Sequence, residues 1–89
     1  MNRGFFNKLK KDRSYTTEEK KLIGSIIDAM NDIKIAREYF QMVKDPRLID
    51  YAIYMEEAAK ARYIYLLNEA KTKKIKLQYK YILDEYNAV

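Results

Sequence analysis

The strongest hydrophobic pattern lies in the first half of the chain, where apolar residues recur at alternating intervals of four and three. With 3.6 residues per helical turn, this spacing keeps the apolar side chains on one stripe that faces a partner helix. The members of the stripe are Leu22, Ile26, Ala29, Ile33, Ala36, Phe40 and Val43. Upstream, Thr16 and Glu19 have the spacing of a capping box. We therefore predict a first long helix over about residues 16–43.

A second stripe with the same alternation follows the only proline in the chain. Its members are Ile49, Ala52, Glu56, Ala59, Tyr63, Leu66 and Ala70. A residue before proline is pushed out of the helical region, so Asp45 is suited to cap the next turn, and Pro46 fits the first helical position. The pattern predicts a second long helix over about residues 46–71.

The two predicted helices match in length, so folding the chain back at Asp45-Pro46 produces an antiparallel hairpin. The register sets Phe40 opposite Ala52, Ile33 opposite Ala59 and Ile26 opposite Leu66. We expect an all-α fold in which Phe40 is packed, so that Phe40→Ala costs about 3–5 kcal/mol. Assembly of two hairpins into a dimeric bundle is left open.

One polar residue interrupts the second stripe, because Glu56 stands in its centre. A buried carboxylate needs a partner, and the antiparallel register brings Arg37 opposite Glu56. We predict a structural ion pair between Arg37 and Glu56, whose disruption costs about 3–5 kcal/mol if the site is buried. The alternative interpretation of Glu56 is an active-site acid.

A further stripe on the second helix lies about 150° around its circumference at 3.6 residues per turn. We call it the tyrosine stripe; its members are Tyr51, Tyr54, Ala58, Ala61 and Tyr65. A two-helix hairpin leaves this surface in water, so it is our candidate protein interface, covered either by the tail or by a second copy. The alternative is that the rings stay exposed, since tyrosine tolerates water.

The C-terminal segment fits two patterns. Ile75, Tyr79, Ile82 and Tyr86 are spaced as in a helix, whereas Ile75, Leu77, Tyr79 and Tyr81 alternate with polar residues as in a strand. No other segment is available to pair with a strand, so we predict a helical tail over about residues 75–87. The apolar phase slips between Ala70 and Ile75, which predicts a kink or a change of packing partner around residues 72–74.

The composition of the chain limits its chemistry. Its 89 residues carry a formal net charge of +5 and include neither histidine nor cysteine, the usual zinc ligands and general base. We therefore expect a single small domain that is not an enzyme and has no cofactor and no metal. Residues 1–14 lack an export signal, and we expect them to be disordered in a cytoplasmic protein, with contact to an anionic membrane as the less favoured alternative.

The net positive charge favours acidic partners. The best candidates for nucleic-acid contact are the lysines near the C-terminus, interleaved with Tyr79 and Tyr81, because lysines bind phosphates and rings stack on unpaired bases. These lysines are Lys71, Lys73, Lys74, Lys76 and Lys80. The alternative is a solvated helix face. A protein partner, or a second copy in a homodimer, remains our first hypothesis.

The hinge and the second helix also resemble a known family. The block from Asp45 to Tyr54, followed by Ala-x-Ala-Arg-Tyr-x-x-Leu-Leu-x-Glu-Ala-Lys over residues 59–71, is similar to the YaaL-like family. These are small proteins of unknown function from Gram-positive, spore-forming bacteria. The resemblance implies a cytoplasmic protein and brings no catalytic residues with it.

Overall fold

The structure is a computed structural model that describes the backbone of residues 3–76 and the side chains of residues 7–76. It contains three helices in this part of the chain: α1 (Arg3–Lys11), α2 (Thr17–Met42) and α3 (Pro46–Thr72). Helices α2 and α3 pack against each other along the hairpin, while α1 contacts α2. The predicted all-α fold and antiparallel hairpin are confirmed, and the described residues form no strand.

Local chemistry decides where α2 and α3 begin. The Thr16 side chain accepts a hydrogen bond from the Glu19 amide at 3.2 Å, and Glu19 Oε1 accepts from the Thr16 amide at 2.8 Å, which completes a capping box. At the hinge, Asp45 Oδ1 accepts from the Arg47 amide at 2.9 Å and Pro46 occupies the first turn. The Arg47 side chain also hydrogen-bonds the Asp45 carboxylate and thereby holds its pKa below the ordinary value.

The end of α3 is a Schellman motif built around a lysine. Lys74 has φ of 57°, the Ile75 amide donates to the Ala70 carbonyl at 2.9 Å, and the Lys74 amide donates to the Lys71 carbonyl at 3.1 Å. Glycine usually occupies this left-handed position because it has no Cβ to clash. The chain therefore turns sharply away from α3 at Lys74. The rest of the predicted tail, from residue 77 onward, lies outside the described residues.

The expectation of disorder over residues 1–14 is wrong for Arg3–Lys11, which form α1. The physical reason is a tertiary contact, because Leu9 is only 3% exposed and packs with Tyr15, Ile23 and Ile27. A short amphipathic segment of this kind is marginal alone and becomes helical when its apolar side is buried. The predicted first helix, α2, therefore packs against α1 as well as against α3.

The core is distributed unequally along the hairpin. We call residues 7–30 and 66–76 the open end, and residues 31–65 the hinge half. The buried apolar side chains of the open end are Leu9, Tyr15, Ile23, Ile26, Ile27, Ala29, Met30 and Ala70. Among described side chains, those of the hinge half are only alanines: Ala36, Ala52 and Ala59.

The predicted helix register agrees with the contacts, but the predicted burial of Phe40 is wrong. Ile26 and Leu66 belong to one apolar cluster, and Phe40 and Ala52 line one cavity. Phe40 is nevertheless 46% exposed, because two helices without a third layer cannot enclose a phenyl ring beside alanine. The cost expected for Phe40→Ala must be revised downward accordingly.

Candidate interaction surfaces

The tyrosine stripe lies along an exposed side of α3, and two of its members, Tyr51 and Ala58, border α2. Tyr51, Tyr54 and Tyr65 are 54%, 72% and 61% exposed, and Ala58 and Ala61 are also exposed. The Tyr39 and Tyr51 rings meet edge to face with centroids 5.9 Å apart, which fixes one end of the stripe against α2. The burial that we predicted for this stripe does not occur within the described residues, and a partner that covers it stays a prediction.

A groove of about 340 Å³ runs beside the tyrosine stripe between α2 and α3. Its lining residues are Asp32, Ile35, Met55, Ala58, Ala59 and Arg62. Arg62 Nη1 donates to Asp32 Oδ2 at 3.2 Å, a cross-helix ion pair at the groove. Since Ala58 belongs to both features, the stripe and the groove form one surface that combines rings with an apolar cleft.

Sequence reasoning missed several apolar residues exposed in this half of the molecule. They are Ile35, Met42, Leu48, Ile53 and Ile64. Leu48 and Ile53 flank the second stripe, but the pattern did not predict that they would be exposed. Every large apolar side chain that is well exposed among the described residues, including these five, lies within residues 35–65. The signal that could have found them is the pairing of α2 with α3, which leaves both flanks of a two-helix layer uncovered.

Arg37 and Glu56 lie in contact, with Arg37 Nε donating to Glu56 Oε1 at 3.2 Å. Lys60 Nζ lies 3.0 Å from the other oxygen, Glu56 Oε2. The Arg37 and Glu56 side chains are 43% and 27% exposed. The cost of about 3–5 kcal/mol was expected only for a buried pair, so it does not apply here. The pair is a half-solvated cross-helix contact, and its contribution is closer to that of surface pairs.

The electrostatics of Glu56 favour the structural interpretation over the active-site acid. Lys60, followed by Arg37, stabilises the carboxylate and lowers the pKa of Glu56, although partial desolvation opposes the shift. A carboxyl group that acts as a proton donor near neutral pH needs a raised pKa instead. The cavity beside Glu56 is about 170 Å³ and is lined by Phe40, Ala52 and Ile53, which bring no second titratable group to it.

The candidate nucleic-acid residues lie at and beyond the end of α3. The side chains of Lys71, Lys73, Lys74 and Lys76 are exposed. Lys73 Nζ is 3.8 Å from Glu69 Oε2. Lys80, with the neighbouring Tyr79 and Tyr81, lies outside the described residues, so the predicted combination of lysines and stacking rings is seen only in its lysine part.

The described residues contain neither a membrane-spanning helix nor a group of metal ligands. None of the three helices has the length and apolarity needed to cross a membrane. Across residues 7–76, no three histidine, cysteine, aspartate or glutamate side chains come together as a group that could hold a metal ion.

Comparison with known proteins identifies a family whose function is unknown. A family model described as "Protein of unknown function (DUF2508)" matches residues 5–77. The chain belongs to this family. The DUF2508 match covers most of α1, all of α2 and α3 and the lysines up to Lys76, so the tyrosine stripe lies within it, whereas Lys80 does not. No curated protein and no solved structure matches the chain.

Proposed function

We propose that this DUF2508 protein is a non-enzymatic helical interaction module that binds a partner protein through the tyrosine stripe and the adjoining groove. The observation that carries the proposal is the exposure of Tyr51, Tyr54 and Tyr65 beside an apolar cleft. Large contiguous apolar surface that a monomer leaves in water is typical of binding sites. Tyrosine suits such a site because its ring buries much area while its hydroxyl stays hydrated.

The shape of the surface fits a helix from the partner. Ala58 and Ala61 form a low saddle between the rings of Tyr54 and Tyr65, so a second helix axis can approach closely there. An amphipathic helix lying along this saddle would place apolar residues into the groove at intervals of three and four. In this proposal the partner helix comes from another protein. A mass measurement distinguishes such a partner from a second copy of the chain.

Site-specific photo-crosslinking tests this surface in the native cell. The full chain would carry a benzophenone amino acid either at Tyr54, on the stripe, or at Gln41, an exposed position of α2 away from it. We expect a discrete protein adduct from Tyr54 only, and its loss when Ala58→Glu is added to block the saddle. Absence of an adduct at Tyr54, or the same adducts from both positions, would contradict the proposal.

Sedimentation velocity of the purified chain assigns the partner. A species that stays near 10.7 kDa at all concentrations, combined with a heavier adduct in cells, supports a different protein as partner. A concentration-dependent dimer that Ala58→Glu dissociates, and the charge-matched control Gln41→Glu does not, identifies the partner as a second copy.

The proposal also includes a cytoplasmic location and a place among YaaL-like proteins. The alanine-rich motif over residues 59–71 supports the second point. The alternative function is contact with nucleic acid through the C-terminal lysines, and the packing of these lysines at the open end supports it.

A further inference from the structure

Two basic segments that are distant in sequence meet at the open end of the hairpin. The Tyr15 hydroxyl donates to the Lys76 carbonyl at 2.6 Å, and Ile75 packs on the cluster that contains Leu9, Tyr15 and Ile23. The lysines after α3 are thereby held against the connection between α1 and α2. That connection follows the basic last turn of α1, which contains Lys8, Lys10 and Lys11.

This convergence concentrates the net charge of the molecule. The open end contains ten lysine and arginine residues against five aspartate and glutamate residues, whereas the hinge half contains six of each. The excess positive charge of the described chain therefore resides at one end. A surface of this kind attracts polyanions over several ångströms and holds them by release of their counterions.

A groove at this end supplies a place for a phosphate chain. It measures about 690 Å³ between α1 and the first turns of α2, and Lys10, Lys20 and Lys21 line it together with the hydroxyl residues Thr17 and Ser25. Lys20 Nζ donates to the Lys10 carbonyl at 2.8 Å, which holds its ammonium group between the two helices. Among the described residues of the lining, Asp28 is the one acidic residue.

We propose that the open end is a composite site for the phosphate backbone of double-stranded DNA, formed jointly by Lys10, Lys20 and Lys21 and by the lysines at positions 71–76. The proposal is independent of the tyrosine stripe and differs from a contact made by the C-terminal segment alone. Lys10, Lys20 and Lys21 bind phosphates along the groove, and the lysines at positions 71–76 extend the contact beyond Tyr15.

The distribution of the described apolar side chains favours a duplex over other polyanionic partners. Binding to an anionic membrane needs exposed apolar residues among the lysines, and binding to a single strand needs exposed rings for base stacking. At the open end the described large apolar side chains, including the Tyr15 ring, are buried or partly buried. The described surface of this end is therefore made mainly of charged and other polar groups, which bind phosphates without regard to base sequence.

The test is fluorescence anisotropy of the full chain with a labelled duplex DNA of arbitrary sequence, repeated over a range of salt concentrations. We expect affinity to fall linearly on a double-logarithmic plot against salt. The variants Lys10→Gln/Lys21→Gln and Lys71→Gln/Lys76→Gln each remove two phosphate contacts. Each pair should therefore reduce the magnitude of the slope by about two, and the combined variant should lose both contributions.

The matched control is Lys44→Gln/Arg47→Gln, which removes two exposed charges from the hinge half and should leave the slope unchanged. The stripe variant Ala58→Glu should also bind DNA normally, which separates this site from the proposed protein interface. Circular dichroism melts verify that each variant is folded.

Three results would overturn the composite site. The first is no binding at low salt, and the second is an equal loss from the hinge control. The third is an effect of the C-terminal pair with none from the pair at Lys10 and Lys21. Tighter binding to single-stranded DNA, or to vesicles containing an anionic phospholipid, would show that the partner class is wrong.

Discussion

The open end and the hinge half of this hairpin share the same two helices but differ in what covers them. At the open end, α1 and Ile75 add further layers, and the isoleucines Ile23, Ile26 and Ile27 are fully buried. In the hinge half, α2 and α3 pack only on each other among the described residues, and the buried residues of their contact are alanines. A third layer therefore determines where the core can hold large side chains.

The two ends also present opposite surfaces to the solvent. The hinge half exposes rings and aliphatic side chains but balances its charges, whereas the open end buries its large apolar side chains and carries the excess of lysine. Each kind of surface suits a different partner, one apolar and one polyanionic. A single small domain can thus offer two sites that do not overlap.

The largest effect that we expect from this difference concerns Ile27, buried where α1 meets α2. Ile27→Ala should reduce the free energy of unfolding by about 2–5 kcal/mol, because it removes buried methyl groups and leaves a cavity. Urea denaturation measures the change. The matched control is Ile35→Ala, the same substitution on the same helix at a 45% exposed position, and equal costs at both sites would disprove the contrast.

Phe40→Ala is the corresponding test in the hinge half. We expect a loss of about 1–2 kcal/mol, well under the cost of emptying a buried phenylalanine site, since nearly half of the side chain is already in water. Phe40→Leu, which keeps most of the apolar area, should be close to wild type. A loss as large as that of Ile27→Ala would mean that the hinge half is covered in solution.

The ion pair of the hinge half should have a smaller effect, and one that depends on pH. Glu56→Gln should cost less than about 1 kcal/mol at neutral pH, because both partners are partly hydrated. The folded-state pKa of Glu56 is lowered, so its stabilisation is present above the pKa of the unfolded chain and is lost as pH falls through the folded value.

Denaturation at neutral and at acid pH tests this sign. The difference between wild type and Glu56→Gln should disappear in acid. Glu57→Gln is the adjacent control, since Glu57 is more exposed and lies 3.8 Å from Lys60. A difference that grows on acidification, or a larger cost for Glu57→Gln, would contradict the assignment.

The smallest expected effect is a gain in stability at the open end. Lys74 holds a left-handed conformation, so Lys74→Gly should stabilise the fold by about 0.5 kcal/mol, the steric relief exceeding the greater entropy of glycine in the unfolded chain. Thermal melting followed by circular dichroism detects the shift. Lys73→Gly is the control, because Lys73 has φ of −81° and gains nothing from glycine; equal shifts would argue against the motif.

The hairpin could be predicted from sequence because its determinants are local. Thr16, Glu19, Asp45 and Pro46 act on their own turns, and the apolar spacing determines which side of each helix faces the other. Once the helices are placed side by side, the register brings Arg37 to Glu56. The same register brings Asp32 to Arg62, a pair that was not predicted because neither residue belongs to a periodic stripe.

Helix α1, the joint basic surface and the exposure of the hinge half could not be predicted, because they depend on contacts between segments that are distant in sequence. Helix α1 has few apolar residues, and its order depends on Leu9 reaching Ile23 and Ile27. The joint basic surface requires residue 76 to lie beside Tyr15, which no local pattern encodes. The exposure of Phe40 and Glu56 likewise depends on whether a third layer covers them.

The hydrogen bond from Tyr15 to Lys76 has a consequence for the order of folding. The sequence separation of residues that meet across the hairpin increases with distance from the hinge. It is 19 residues for Arg37 and Glu56, 30 for Asp32 and Arg62, and 61 for Tyr15 and Lys76. Closing the longest loop directly costs about 1 kcal/mol more than closing the shortest. We expect the contacts between α2 and α3 to form first near Pro46 and then progressively toward the open end. The most heavily buried end of the hairpin would then form last.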